Sequence, residues 1–161
     1  MKKLSAFLLV LTLTAGILVQ TAKAQITVSG SNTKDGTYTS LTKVDGAFAA
    51  LSSISQATKT IIITITANVT DEDGATALTG VAGMWTSLII SPSGARTISG
   101  SVSKPLIDLN GADNVTIDGL NTGGNSLVIS NLSTATTAGT STIRFINDAS
   151  GNTVQYCTIK G

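Results

Sequence analysis

Short runs of β-branched and aliphatic residues, repeated with no helix between them, constrain this chain more than any other feature. From residue 60 onward Gly, Asn, Asp and Ser separate the runs, which lie at 60–70, 87–90, 97–98, 106–109, 115–120, 127–132, 143–146 and 154–159. The runs favour strands and the residues between them favour turns. A doubly wound α/β fold is excluded, since it needs a helix between successive parallel strands.

The strand-like runs carry an internal repeat. The form Thr-Ile-x-Gly occurs at 97–100, 116–119 and 158–161. A run at 106–110 leads to the second copy, a similar run at 143–147 leads to the third, and the run 127–131 lies between them. One unit therefore holds three short strands, and a Thr-, Ala- and Gly-rich insertion at 133–140 lengthens one corner. Three strands per turn predict an all-β fold, a parallel β-helix.

The repeat also predicts which residues stack on one another. In a β-helix, like residues of neighbouring coils lie about 4.8 Å apart. The expected stacks are Ile107 on Ile143, Leu109 on Phe145 and Ile117 on Ile159. Such a stack satisfies the backbone of each coil and buries its apolar face at the same time.

Two pairs of charged side chains follow from this register. Asp108 and Arg144 would point outward together, and Asp118 would lie beside Lys160. Pairs of this exposed kind stabilise a fold by less than about 1 kcal/mol each.

A second register is possible at one corner. Stacking Asn110 on Asn147 would shift the alignment by one residue and turn Asp108 inward. We favour the apolar stack, because a slip of one residue turns every side chain to the other face. A bulge or corner geometry could satisfy both arrangements.

Residues 1–24 have the pattern of a secretory signal peptide. Two Lys precede an apolar stretch at 4–19, and Ala22 and Ala24 are the small residues that a signal peptidase reads, so we expect cleavage before Gln25. The alternative, a membrane anchor, is disfavoured because the stretch is shorter than the roughly 20 residues that span a bilayer. We therefore expect a secreted or outer-cell-surface protein with no membrane span after cleavage.

A helix is expected between the signal peptide and the strands. Residues 42–45 match a capping box, with Thr42 as the N-cap and Asp45 three residues later. An apolar stripe follows at helical spacing: Val44, Ala47, Phe48, Leu51 and Ile54. The pattern predicts an amphipathic helix at about 43–55 that covers the open first coil. We thus divide the mature chain into an N-terminal cap at 25–59 and the first coils of a β-helix at 60–161.

The composition excludes several classes of function. With 10 Lys and Arg against 9 Asp and Glu, the chain has no basic surface for nucleic acid. It contains no His, which excludes His-based triads and His-ligated metal sites. Its only cysteine, Cys157, lies in a strand-like run, which favours a structural residue over a reactive thiol.

Several segments resemble known β-helix proteins. Residues 36–42 and 46–51 resemble the N-terminal cap of pectin-lyase-like right-handed β-helix proteins. Residues 105–120 and 142–149 are similar to the coils of large secreted surface proteins exported by the type IX route. The resemblance implies a right-handed β-helix in a surface protein that ends in a C-terminal sorting domain. Because Gly161 follows a strand directly and no cap follows it, we expect the N-terminal part of a longer protein, truncated at its C-terminus.

The resemblance also implies a comparison with the enzymes of that fold. Its hydrolases typically carry Asn-Thr-Asp, Asp-Asp, Gly-His-Gly and Arg-x-Lys motifs, and none of them occurs here. Hydrolysis at a sugar needs convergent carboxylates, whereas Asp108, Asp113 and Asp118 follow one another at five-residue steps, which would scatter them around a coil. We predict no catalytic and no cofactor-binding residues in this chain.

Two weak candidates for binding remain. Asp71 and Asp73, in an acidic loop, could hold Ca²⁺ together with backbone carbonyls, and the alternative is a solvated turn. Trp85, the only Trp, could stack on a sugar ring, and the alternative is that it covers the helix cap.

Two functions compete on this basis. The first is a non-catalytic secreted or cell-surface β-helix protein that acts in adhesion or binds a polysaccharide or cell-surface glycan. The alternative is the N-terminal portion of a polysaccharide lyase or glycoside hydrolase whose active site lies in later coils. A structural spacer is a third, weaker interpretation.

Overall fold

The computed structural model describes residues 23–80 and 83–161. The predicted signal peptide, except for its last two residues, lies outside this part of the chain. The described elements are β1 Ile26–Ser29, β2 Gly36–Tyr38, α1 Ala47–Ser52, β3 Thr60–Ile65, β4 Leu78–Thr79, β5 Ser87–Pro92, β6 Ala95–Gly100, β7 Pro105–Asn110, β8 Val115–Asp118, β9 Ser126–Asn131, β10 Ser141–Ile146, β11 Thr153–Gln155 and β12 Cys157–Lys160.

The strands wind into a parallel β-solenoid of about three turns. Successive strands from β5 onward visit three sheets in rotation, with orders β11-β8-β5-β3-β1-β2, β12-β9-β6 and β10-β7-β4. Among the described strands, all pairs are parallel except those of β1 with β2 and with β3. The prediction of a parallel coil with three strands per turn is therefore confirmed.

The core lies inside this triangular coil. Ile63, Ile90 and Ile117 occupy matching places in β3, β5 and β8, and none of the three is exposed to solvent. Burying an aliphatic side chain of this size stabilises a fold by about 1.5–3 kcal/mol. The aliphatic stack thus does two things at once, because it fixes the register of the strands while it fills the interior.

Two of the three predicted stacks are correct. Ile143 lies beside Ile107, and Phe145 lies beside Leu109. The stack of Ile117 on Ile159 is wrong, since Ile117 pairs in register with Val154. The partner of Ile159 is instead Ile129.

The predicted stack of Ile117 on Ile159 fails because the three Thr-Ile-x-Gly copies do not occupy equivalent places in the coil. The first and third copies lie on β6 and β12 of one sheet, with β9 between them, whereas the second lies on β8 of another sheet. A similar local sequence on two faces does not make two strands neighbours, because the length of chain in one coil decides which strands meet. As a consequence Asp118 lies beside Gln155 and not beside Lys160.

The corner after β10 satisfies both registers. Asn110 pairs in the sheet with Ile146, as the apolar stack requires. Asn147 has a φ of 55°, and this left-handed turn brings its Nδ2 to donate to Asn110 Oδ1 at 2.6 Å. Asn tolerates this backbone region better than most residues.

The helix α1 is shorter than predicted and begins later. Its N-cap is Gly46, and no side chain caps it. The capping box is wrong because the hydroxyl of Thr42 donates to the Glu72 carboxylate. Val44, which the stripe placed on the buried face, is 78% exposed.

The N-terminal end of the solenoid is nevertheless covered. Ala47, Phe48 and Leu51 of α1 are buried, and the helix packs against β4. The β1–β2 hairpin adds to the sheet beside β3 and pairs with its edge. Among residues 23–80 and 83–161 no helix is long and apolar enough to cross a membrane.

Candidate functional site

One lateral face carries a charged pair that the register predicted. Arg144 on β10 lies directly beside Asp108 on β7. Its Nε donates to Asp108 Oδ1 at 3.0 Å and its Nη2 donates to Oδ2 at 2.6 Å. This hydrogen bonding raises the pKa of Arg144. The two-point geometry fixes the orientation of the guanidinium relative to the Asp108 carboxylate.

A groove of about 320 Å³ opens beside this pair. Ala138 and Gly139 of the 133–140 insertion line one part of it, and Gly74 and Ala75 line another. Lys104 adds a second cation. The groove therefore joins a carboxylate and two cationic side chains on the outer face of the β4-β7-β10 sheet.

Gly74 is required for the loop to approach this sheet. Its φ is +59°, and a Cβ there would collide with the carbonyl oxygen of Pro105 on β7. Only glycine adopts such a backbone without a steric cost.

A second groove of about 370 Å³ lies on the 133–140 insertion and the start of β10. Its lining includes the hydroxyl-bearing residues Thr136, Thr137, Thr140 and Thr142. Such side chains donate and accept hydrogen bonds without charge. The insertion thus takes part in both a charged and a neutral polar groove.

The acidic loop does not bring together the oxygens that the weak Ca²⁺ candidate would need. Asp71 pairs with Lys43 Nζ, and Asp73 Oδ1 accepts from the backbone N–H of Ala75 at 2.9 Å. Glu72 between them turns inward and is 2% exposed. In the part of the chain that the structure describes, no three His, Cys, Asp or Glu side chains gather where they could hold a metal ion. The residues present do not fit Ca²⁺, which needs convergent oxygens.

Glu72 is a buried carboxylate that the sequence analysis did not predict. Its Oε1 accepts from the N–H of Leu41 at 2.6 Å, and its Oε2 accepts from the N–H of Thr42 at 2.8 Å and from Ser40 Oγ at 2.7 Å. The hydroxyl of Thr42 donates to the same oxygen. Nothing in an acidic loop signals such burial, because the donors lie about 30 residues away.

Trp85 is not placed to stack on a sugar. Its ring is 3% exposed, and its Nε1 donates to the carbonyl of Asp113 at 2.8 Å. It belongs to the same buried cluster as Phe48 and Leu51 of α1. Trp85 is therefore a core residue, and its indole N–H is already used within the chain.

The surroundings of Cys157 also favour a structural residue over a reactive thiol. Burial raises the pKa of its thiol, and nearby Asp118 acts in the same direction, although a backbone hydrogen bond from Gly119 opposes them. Its Sγ lies 3.2 Å from the carbonyl oxygen of Gln155. A thiol with a raised pKa stays protonated at neutral pH and is a poor nucleophile.

The three evenly spaced aspartates are separately engaged. Asp108 pairs with Arg144, Asp113 Oδ1 accepts from the backbone N–H of Ser150 at 2.6 Å, and Asp118 Oδ2 accepts from Gln155 Nε2 at 2.8 Å. Each carboxylate thus joins two neighbouring coils.

Comparisons of the chain with family models, with curated proteins and with solved structures find no match. By its fold the chain is a parallel β-solenoid. The groove beside Asp108 and Arg144 is its candidate binding site.

Proposed function

We propose that this chain is an exported, non-catalytic surface solenoid that binds a glycan in the groove beside Asp108 and Arg144. The observation that carries the proposal is the combination, in one open groove, of a carboxylate acceptor with two cationic donors, one of which is held by that carboxylate. Lys104 and Arg144 supply the donors, and Asp108 supplies the acceptor.

The chemistry of sugar hydroxyls matches these groups. Each hydroxyl both donates and accepts, so neighbouring hydroxyls are bound by side chains that offer both functions side by side. Asp108 uses two of the N–H groups of Arg144 and leaves the others available to a ligand. The sheet beneath holds the pair, so little side-chain entropy is lost on binding.

The pattern of the N-terminal residues supports the location. An export signal requires a positively charged start, an apolar stretch and small residues at the cleavage site. The chain has these in Lys2 and Lys3, in residues 4–19, and in Ala22 and Ala24. A glycan-binding or adhesive role is consistent with a place outside the cell, where polysaccharides are found. The solenoid offers a long side on which shallow grooves can act together.

Binding of polysaccharides by wild-type and variant chains tests the proposal. We would titrate neutral polymers (mannan, xylan) and acidic polymers (polygalacturonate, alginate) by calorimetry. Lys104→Gln and Arg144→Lys are expected to weaken binding about tenfold or more, since a hydrogen bond to a charged group contributes about 1.5–3 kcal/mol.

Lys34→Gln is the matched control, because it removes one positive charge from the connection between β1 and β2. It should leave the affinity unchanged. Equal weakening in Lys34→Gln and Lys104→Gln would show non-specific attraction and contradict the groove. Depolymerisation of any polymer by the chain would contradict the non-catalytic proposal and favour the enzyme.

A further inference from the structure

The outer face of the largest sheet carries hydroxyl groups where the groove sheet carries charges. Four strands, β2, β1, β3 and β5, are neighbours in this sheet. Their outward positions hold seven Ser or Thr, two Ile and no charged residue, and none of these side chains is buried. This hydroxyl face consists of Thr37, Thr27, Ser29, Thr60, Ile62, Thr64, Ser87, Ile89 and Ser91.

The register of the strands aligns these hydroxyls in rows. Thr27 of β1 lies between Thr37 of β2 and Thr64 of β3, and Thr64 lies beside Ser91 of β5. Neighbouring strands are about 4.8 Å apart, and alternate residues along a strand are about 6.6–6.8 Å apart. The face is therefore a grid with two fixed repeats.

The hydroxyls of this face are available to a ligand. Among residues 23–80 and 83–161 the structure gives none of the seven a hydrogen-bond partner, whereas the hydroxyls of Ser40, Thr42 and Thr142 donate within the chain. Each hydroxyl can both donate and accept, as a water molecule does. β3 and β5 are paired on both sides, which holds their side chains at fixed places.

We propose that the hydroxyl face binds ice. Ice is an uncharged lattice in which every water molecule donates and accepts, and oxygen atoms at its surface repeat at distances close to those of the grid. Fixed hydroxyls can take places in such a lattice with little loss of side-chain entropy. A single contact is weak, but the rows place many contacts side by side, and these act together.

The lack of charge on the face favours ice over an ionic ligand. A charged side chain orients the water around itself, and that arrangement does not match the lattice. Ile62 and Ile89, which lie beside each other between the hydroxyls, neither donate nor accept and so leave the water free to order. Asp108 and Arg144 lie on another sheet, so this inference does not depend on the glycan groove.

The growth of ice in solutions of the chain tests the proposal. We expect the wild-type chain at micromolar concentration to inhibit recrystallisation of ice and to separate the freezing point from the melting point. Thr64→Lys and Ile62→Lys, near the centre of the face, should abolish both effects. Thr97→Lys on β6 is the matched control, because Thr97 and Thr64 are both half-buried strand threonines. It should keep both effects, and circular dichroism would establish that every variant is folded.

Three outcomes would overturn the proposal. The first is a folded wild-type chain that has no effect on ice. The second is an equal effect of Thr64→Lys and Thr97→Lys, whether both abolish the activity or both retain it. The third is a wild-type chain that is inactive toward ice but binds xylan through Thr64, which would assign the face to a neutral polysaccharide.

Discussion

Glu72 shows how a single buried carboxylate can join two parts of a chain. Its two oxygens take donors from three consecutive residues, Ser40, Leu41 and Thr42, which immediately precede the loop into α1. An isolated charge inside a protein is strongly unfavourable, whereas a carboxylate with several N–H and O–H donors is stable. Glu72 therefore holds the cap region against the first coil.

Replacing Glu72 by Gln should lower the free energy of unfolding by about 2–4 kcal/mol, because its amide NH₂ would face N–H donors and each lost charged hydrogen bond contributes about 1.5–3 kcal/mol. Chemical denaturation measures the change. Asp73→Asn is the control, since the Asn oxygen can still accept from Ala75, and it should change stability by less than about 0.5 kcal/mol. A Glu72→Gln protein as stable as the wild type would show that the contact is not needed.

At the scale of elements, β3 shows why the strands form as they do. Ile61 and Ile63 are fully buried, and Ile62 between them is 43% exposed. Side chains of a strand point alternately to its two faces, so Ile61 and Ile63 share the buried face and Ile62 lies on the other. Ile63 lies between Val28 of β1 and Ile90 of β5. The N-terminal hairpin therefore continues the aliphatic stack of the solenoid.

Ile63→Ala should destabilise the fold by about 2–5 kcal/mol, because it removes buried methyl groups and leaves a cavity. Ile62→Ala, on the same strand, should cost less than about 1 kcal/mol, which is the span of strand propensity. Urea denaturation of the two variants compares them directly. Equal losses would mean that the inward and outward faces of β3 are not distinguished as the structure has them.

At the scale of the whole molecule, stability should decrease toward the coil of β10, β11 and β12. In a solenoid each coil is stabilised mainly by its neighbours. Among the strands that the structure describes, β5 and β8 are paired on both sides, whereas β11 and β12 are each paired on one side only. The outer coil also keeps its apolar side chains exposed, including Phe145 and Ile159.

Hydrogen exchange should reveal this gradient. The amides of β5 and β8 should exchange slowest, and those of β11 and β12 should exchange much faster. Mass spectrometry of peptides from each strand measures the order. Uniform protection across all strands would contradict coil-by-coil stabilisation and indicate a single cooperative unit.

Sequence alone determined the class of fold and the outward pair of Asp108 and Arg144, because alternation along a strand and the similarity of 106–110 to 143–147 are local properties. The tertiary structure alone decided that Ile159 stacks on Ile129, that α1 begins after Gly46, and that Glu72 and Trp85 are buried. These depend on which coils meet and on donors some 30 residues distant along the chain. Neither the pairing of coils nor the position of distant donors can be predicted from a local pattern, because loop length and packing between faces determine both.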